Sequence, residues 1–406
     1  MKFRTFILIP SVVFFLSLLS PGHTYYAGEF KAQNVSLEVP AVNEGSTVET
    51  SISEADIVPE AEDAATPPDT LVVPDTEEQE PLRIAAVGDI MLGRGVGARL
   101  EAKKLGYTYP FTTVADILSK GDVVFGNLEQ PITQSEKCFD KRYKFVLKSK
   151  VEALEGIKYA GFNLLSLANN HILDYYDKGL TDTIQILNSN GIAFSGAGKN
   201  LEEAREPAVI EKKGIKIGLL SYTDMAEIIY KGNPSISFIA DGNKAGVAPR
   251  KLEYILEDIE KARKDVDLLI ISLHWGVEES FNVLPDQMEF AHRLIDNGAD
   301  IILGHHPHQF QGIEIYKGKP VAYSLGNFIF DQNDPENQES FILNLEFTGN
   351  KLSALSALPV KTIDKIQVVR QTGLGARGIL NREMELSAAL NTKCSIVDDK
   401  LVFEVN

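Results

Sequence analysis

From Leu82 to about Leu325 the chain alternates short apolar runs with amphipathic stretches, and this alternation constrains the fold more than any other feature. Leu82-Arg83-Ile84-Ala85-Ala86-Val87 is an apolar run that stops at Gly88-Asp89, the pattern of a strand feeding a polar loop. Runs of the same kind recur at Val123–Phe125, Leu164–Leu167, Ile192–Ser195, Ile215–Ser221, Leu268–Leu273, Ile301–Leu303 and Val321–Leu325. Residues 111–119, 151–160, 177–190, 249–264 and 285–297 space their apolar side chains at three and four, which predicts helices. Strand, loop and helix in repetition mean an α/β domain with a largely parallel sheet covered by helices. Residues from Val321 to Pro359 read as strand-rich. Tyr316-Lys317-Gly318-Lys319 and Thr348-Gly349-Asn350-Lys351 are their hairpin turns.

The ends of the chain differ from this head. Lys2 and Arg4 precede an apolar run from Phe6 to Leu19, so residues 1–27 read as a signal peptide or an N-terminal membrane anchor. Residues 28–82 read as an acidic, Pro-containing linker. Within it, residues 32–82 hold 13 acidic side chains, six prolines, no aromatic residue and no Lys or Arg. Such a segment buries too little apolar surface to offset its ordering entropy and is expected to be a disordered stalk. Of the net charge of -17, this stretch contributes -13, the first 31 residues +2 and the head only -6. The head therefore lacks the basic surface that nonspecific nucleic-acid binding requires. Residues 83–360 form the expected domain, and 361–406 an extension packed on it or following it. Cys138 and Cys394 fit no zinc pattern. They either pair after export or remain thiols.

Open α/β sheets bind ligands beyond the carboxyl ends of their strands. Five of the predicted strand ends here deliver polar groups: Gly88-Asp89, Asn127-Leu128-Glu129, Asn169-Asn170-His171, His274-Trp275 and His305-His306-Pro307-His308. Five of the seven histidines stand in this set. Neutral imidazole beside carboxylate and amide oxygen suits a divalent ion such as Mn, Fe or Zn. Read singly, Asp89 is as well explained as a helix cap, Asn170 as a turn residue and His274 as a core histidine. The cluster from His305 to His308 is harder to explain by packing. His305 and His306 are not both expected as ligands, because neighbours after a strand point apart. His292 lies in a helical stretch and reads as structural.

These segments, in this order, resemble the CapA family of bacterial capsule-synthesis proteins, linked to poly-γ-glutamate. The matching pieces run from Val87-Gly88-Asp89-Ile90-Met91-Leu92 to Tyr323-Ser324-Leu325-Gly326-Asn327-Phe328. That family is similar to calcineurin-like metallophosphatases, which implies a four-layer αββα sandwich with a metal centre. The resemblance implies Asp89, Glu129, Asn170, His274, His306 and His308 as metal ligands and His171 as the catalytic proton donor. Asn127, Arg94 and Asn327 are the expected substrate contacts. Lys141, Arg142 and Lys144 are further basic candidates. Three departures from the phosphatase pattern stand out: Met91 in place of a ligand His, Asn127 with Glu129 in place of an Asp, and Ile172 after His171. They imply a single-metal or altered site in which Glu129 substitutes.

Two functions follow from the resemblance. One is a membrane-tethered, extracytoplasmic, metal-dependent hydrolase or transferase acting on an anionic envelope polymer such as poly-γ-glutamate. The other is a non-catalytic accessory subunit that binds the polymer or its synthase. A phosphodiesterase is the third reading.

Overall fold

The structure is a computed structural model that describes residues 80–138, 145–228 and 236–405. The expected export segment, nearly all of the acidic stretch, and Lys141, Arg142 and Lys144 lie outside the described residues.

Two sheets carry the fold. In the larger, Leu82–Ile90, Val123–Leu128, Leu164–Ser166 and Ala193–Ser195 lie side by side and parallel. Its other half is antiparallel: Glu339–Thr348 pairs with Leu82–Ile90, and Lys351–Ile363, Lys400–Phe403 and Cys394–Val397 follow outward. In the second sheet Ile215–Thr223, Leu268–His274, Ile301–His305 and Lys319–Leu325 are parallel neighbours, edged by the antiparallel strands Ala208–Lys212 and Phe310–Tyr316. Both expected hairpins form. Lys317 and Gly318 take φ of +51° and +75°, the left-handed pair that a two-residue turn of matching twist needs.

Alternation along each strand divides the side chains between layers. Ile84, Ala86 and Phe125 of the large sheet share one apolar core with Ile217, Leu219, Ile270 and Leu303 of the second. Their neighbours Ala85, Val87 and Val124 face the other way, against Leu100, Ile157, Leu180 and Leu187 of three helices, Arg94–Ala102, Ala153–Tyr159 and Tyr176–Ser189. On the far face of the second sheet, Leu269, Ile271 and Ile302 pack on Ile255, Ile259, Leu294 and Ile295 of Leu252–Ala262 and Pro285–Asp296. Among the described residues the cores therefore run helix against sheet, sheet against sheet, and sheet against helix. The expected stretch 111–119 holds only a 3-10 turn, Tyr109–Phe111, and a single turn, Ala115–Leu118. Its large apolar groups, Phe111, Val114 and Leu118, are buried nonetheless. Cys138 and Cys394 are both free.

The C-terminal helix Gly373–Ala389 closes one side of the interior. Ala376, Ile379 and Leu380 enter the core between the sheets. Its polar residues, with Thr392 just beyond its end, cover the open edge of strand Phe310–Tyr316. The Ile313 amide donates to Glu383 Oε1 and Ser387 Oγ at 3.1 and 2.9 Å, and the Ile315 amide donates to Thr392 Oγ1 at 2.9 Å. Glu383 is fully buried, and burial pushes its carboxyl up to about 8, with the bonds from Ser387 and Ile313 opposing. A pKa raised on folding contributes stability in full below the ordinary carboxylate value, and that contribution is lost as pH rises through about 8. Glu383→Gln keeps an acceptor for the Ile313 amide and cannot ionise. Between pH 5 and pH 9 the parent is expected to lose on the order of 4 kcal/mol more stability than the variant. Denaturant titration at the two pH values measures this, and equal losses would contradict it.

Candidate metal centre

The expected site residues come together at the carboxyl ends of strands from both sheets. Gly88 allows the first approach: a Cβ there would stand 1.8 Å from Gly326 O. The return strand Asn327–Ile329 thus lies directly beside Asp89, with Asp89 opposite Asn327 on one side and opposite Asn127 on the other. Gly304 does the same in the second sheet, where a Cβ would stand 1.8 Å from Tyr323 O. His274 and His305 end adjacent strands in register. Beyond them His306 and His308 take φ of +96° and +61°, a left-handed conformation that non-glycine residues hold only when their surroundings enforce it.

Hydrogen bonds fix the orientation of each group in turn. Asn169 Oδ1 accepts the amides of His171 and Ile172, so its Nδ2 donates to Leu128 O and, at 3.2 Å, to Asn127 Oδ1. The Asn127 NH2 must then face the opposite way. It lies 2.9 Å from Asp89 Oδ1, 3.4 Å from Glu129 Oε2 and 3.4 Å from His274 Nδ1. Since His274 Nδ1 meets a donor, its proton sits on Nε2 and is given to Asn170 Oδ1 at 2.9 Å. Asn327 Nδ2 donates to Gln332 Oε1 and Asn337 O, so its Oδ1 accepts from His308 Nδ1 at 2.9 Å and leaves the lone pair on Nε2. Asn127 and Asn327, expected to touch substrate, are instead buried and engaged in holding the charged groups.

One ligand atom each from Asp89, Glu129 and His308 lie within 4.8 Å of one another, and all three residues are buried. Glu129 Oε1 and His306 Nδ1 are buried without a hydrogen-bond partner among the described residues. Orphaned lone pairs of this kind, beside a carboxylate, fit a divalent cation. Burial alone would raise the Asp89 carboxyl, but His305, His308 and Asn127 together hold it below the ordinary value. Burial and the neighbouring Asp89 charge drive Glu129 well above it. Without a cation Glu129 therefore holds its proton to higher pH than an ordinary carboxyl. Burial, then the neighbouring imidazoles, pushes His274 well below its ordinary value, and burial with His308 takes His306 down to about 3. Both are neutral at physiological pH; His306 is then in the form that binds metal, whereas both ring nitrogens of His274 are engaged by Asn127 and Asn170.

His171 stands at the rim with its side chain 15% exposed, and it differs from the ligands in its partner. Its Nδ1 is 2.8 Å from Asp174 Oδ2, and its Nε2 points toward Glu129 Oε1 at 3.9 Å. The Leu147 amide also donates to Asp174, a carboxyl that burial raises. Asp174 and Asn169 carry no expected role in the sequence. Asp174 was signalled only by its place three residues after His171. His305, the alternative to His306 as a ligand, has its Nδ1 3.1 Å from Asp89 Oδ1 and its ring against Phe125. Met91 is fully buried in the apolar core beneath the site and offers no ligand there.

The fold and site define an α/β protein with a candidate divalent-metal centre of carboxylates, imidazoles and amides at its strand ends. Residues 83–332 match the model of the bacterial capsule synthesis protein family PGA_cap, and the chain belongs to that family. The capsule biosynthesis protein CapA of Bacillus anthracis is 32% identical over 346 residues, covering 81% of this chain and 79% of that protein. The PGA biosynthesis protein CapA of Bacillus subtilis is 31% identical over 333 residues, covering 82% and 84%. A probable polyglutamine synthesis accessory protein of Mycobacterium tuberculosis is 29% identical over 338 residues, covering 78% and 86%. Among solved structures, the calcineurin-like phosphoesterase YfkN of Bacillus subtilis overlaps 71% of this chain and 87% of its own at 13% identity and a TM-score of 0.36.

Cation binding at Asp89 and Glu129 should expel the proton of Glu129. Glu129 is shifted upward, so in the free protein it keeps its proton from the ordinary carboxylate range up to its raised value. Across that window metal affinity should rise by up to about tenfold per pH unit. Titration calorimetry with Mn²⁺ or Zn²⁺ in buffers of different ionisation enthalpy is expected to show proton release that Glu129→Gln abolishes. A pH-independent affinity would contradict this.

Proposed function

We propose that this chain is a membrane-tethered, extracytoplasmic component of poly-γ-glutamate capsule production, export or attachment, with a metal-dependent hydrolase- or transferase-type site in its head. The observation that carries the reading is the buried Asp89, Glu129 and His308 group with the orphaned atoms beside it. Asp89, Glu129 and His308 would hold a divalent ion, with Asn170, His274 and His306 adjoining. Such an ion supplies Lewis acidity to an oxygen of the bond to be broken. His171, oriented by Asp174 and at the exposed rim, would deliver a proton to the leaving group. The family membership and the likeness to the Bacillus capsule and PGA biosynthesis proteins support the capsule setting.

A second reading, a non-catalytic polymer- or synthase-binding subunit, is favoured by Asn127, which places an amide among the carboxylates, and by Met91. Metal analysis and assays on γ-glutamyl polymer and on phosphoesters separate the two. Under the enzymatic reading His308→Ala lowers metal content and turnover together. His171→Ala retains nearly full metal content and loses turnover by about 100-fold or more. Metal without turnover on either substrate class would favour the accessory role.

No helix among the described residues is long and apolar enough to cross a membrane. The tether in this proposal is the apolar run near the N-terminus. Fractionation of cells making the full chain should place it in the membrane, and recovery of uncleaved protein in the cytosol would remove the extracytoplasmic assignment.

A further inference from the structure

Arg94 opens the helix Arg94–Ala102 with φ of +40°, a conformation costly for a residue with a side chain. Its surroundings hold it there. Nε lies 2.9 and 3.1 Å from the two Asp331 carboxylate oxygens, and Nη2 also donates to Asp331. The Gly95 amide donates to the same carboxylate at 2.9 Å, and a Cβ on Gly95 would come within 2.4 Å of it. The guanidinium carbon lies 5.7 Å from the Phe330 ring centre, and that ring is 5.1 Å from the His308 ring. The charge of Arg94 also reaches Asp174, the partner of His171. Arg94 is thereby placed at the rim between the His308 side of the candidate metal centre and the His171 side.

A guanidinium has five N–H donors in a planar fork. Asp331 takes the Nε edge, Nη1 has no protein partner among the described residues, and the side chain is 30% exposed. Among the described residues the centre gathers the carboxyls of Asp89, Glu129 and Asp174, and Glu278 acts on Glu129 as a further negative charge. Beside those carboxyls an anionic ligand group would be received by a cation bound at the centre and by the preoriented pair of donors of Arg94. We infer that Arg94 is the specificity-determining contact for an anionic group, a carboxylate or a phosphoryl oxygen, carried by the ligand beside the bond that the centre acts on, and that Asp331 positions it. The inference deepens the proposed function by naming the charge of the ligand at that site.

The test is titration calorimetry of the full chain loaded with Mn²⁺, using tri-γ-glutamate, the same oligomer with its α-carboxylates converted to amides, and inorganic phosphate. The parent is expected to prefer the acid oligomer to the amide at least tenfold. Arg94→Gln should lose about 10- to 100-fold in affinity for the acid, the scale of a charge-assisted hydrogen-bond pair, and lose the discrimination against the amide. Arg94→Gln leaves Asp331 without its cation, so the Arg94→Gln/Asp331→Asn double variant is measured beside it and should show the same loss. Asp331→Asn alone, which frees the fork, should give an intermediate loss. Metal content should be unchanged in all of them, which separates failure of this inference from failure of the metal centre. Loss confined to phosphate would assign the phosphoryl group as the ligand chemistry. Parent-like binding of both oligomers and phosphate by Arg94→Gln, or no binding of any of the three by the parent, overturns the inference.

Discussion

The site depends on one amide placed between two buried carboxyls. Side by side and out of water, Asp89 and Glu129 repel one another, and each ionised group taken from solvent costs several kcal/mol unless it is compensated. The Asn127 NH2 is the neutral compensation, and it is aimed by Asn169, which is itself fixed by two backbone amides. Because the orientation is inherited step by step from the backbone, the cluster is set before any ligand arrives. The same chain of donors settles the His274 tautomer, so that one side-chain amide governs both carboxylate and imidazole chemistry.

Two sheets meeting at this cluster explain why it is built from residues more than two hundred positions apart. The large sheet supplies Asp89, Asn127 and Glu129, the loop after Leu164–Ser166 supplies Asn170 and His171, and the second sheet supplies His274, His306 and His308. Their separation is set by the apolar core between the sheets, with Phe125, Phe310 and Phe341 among its largest fully buried side chains. Close packing makes such an interior a stiff spacer. The geometry of the ligands is thus a property of the core as much as of the loops.

The strands were legible because they are short, apolar and bounded by Gly or polar residues, and the polar strand ends followed from the same reading. Arg94–Ala102 was missed: it carries two glycines and few apolar groups, and its start is fixed by contacts with Gln130 and Asp331 that no local pattern displays. Gly373–Ala389 was missed for a related reason, since its buried face includes Glu383 and Ser387. Within the site, the identities of the charged residues were visible in the sequence, but their division of labour was not. Asn127 and Asn327 look like ligand contacts as polar residues at strand ends, and only their hydrogen-bond partners show them to be supports. Asp331 and Phe330 acquire meaning only once the return strand is laid beside Asp89.

The edge of the second sheet at Phe310–Tyr316 ends in side chains rather than in another strand. Exposed strand edges are templates on which other chains can add. Here the Ile313 and Ile315 amides are occupied by Glu383, Ser387 and Thr392, groups that have no β-ladder of their own to extend. For a protein proposed to work beside a long polymer at a crowded cell surface, the last helix acts as a stopper. A chain cut before Gly373 would keep every residue of the metal centre and yet lose Ala376, Ile379 and Leu380 from the core that spaces the sheets, and it would present open strand edges on which copies could add.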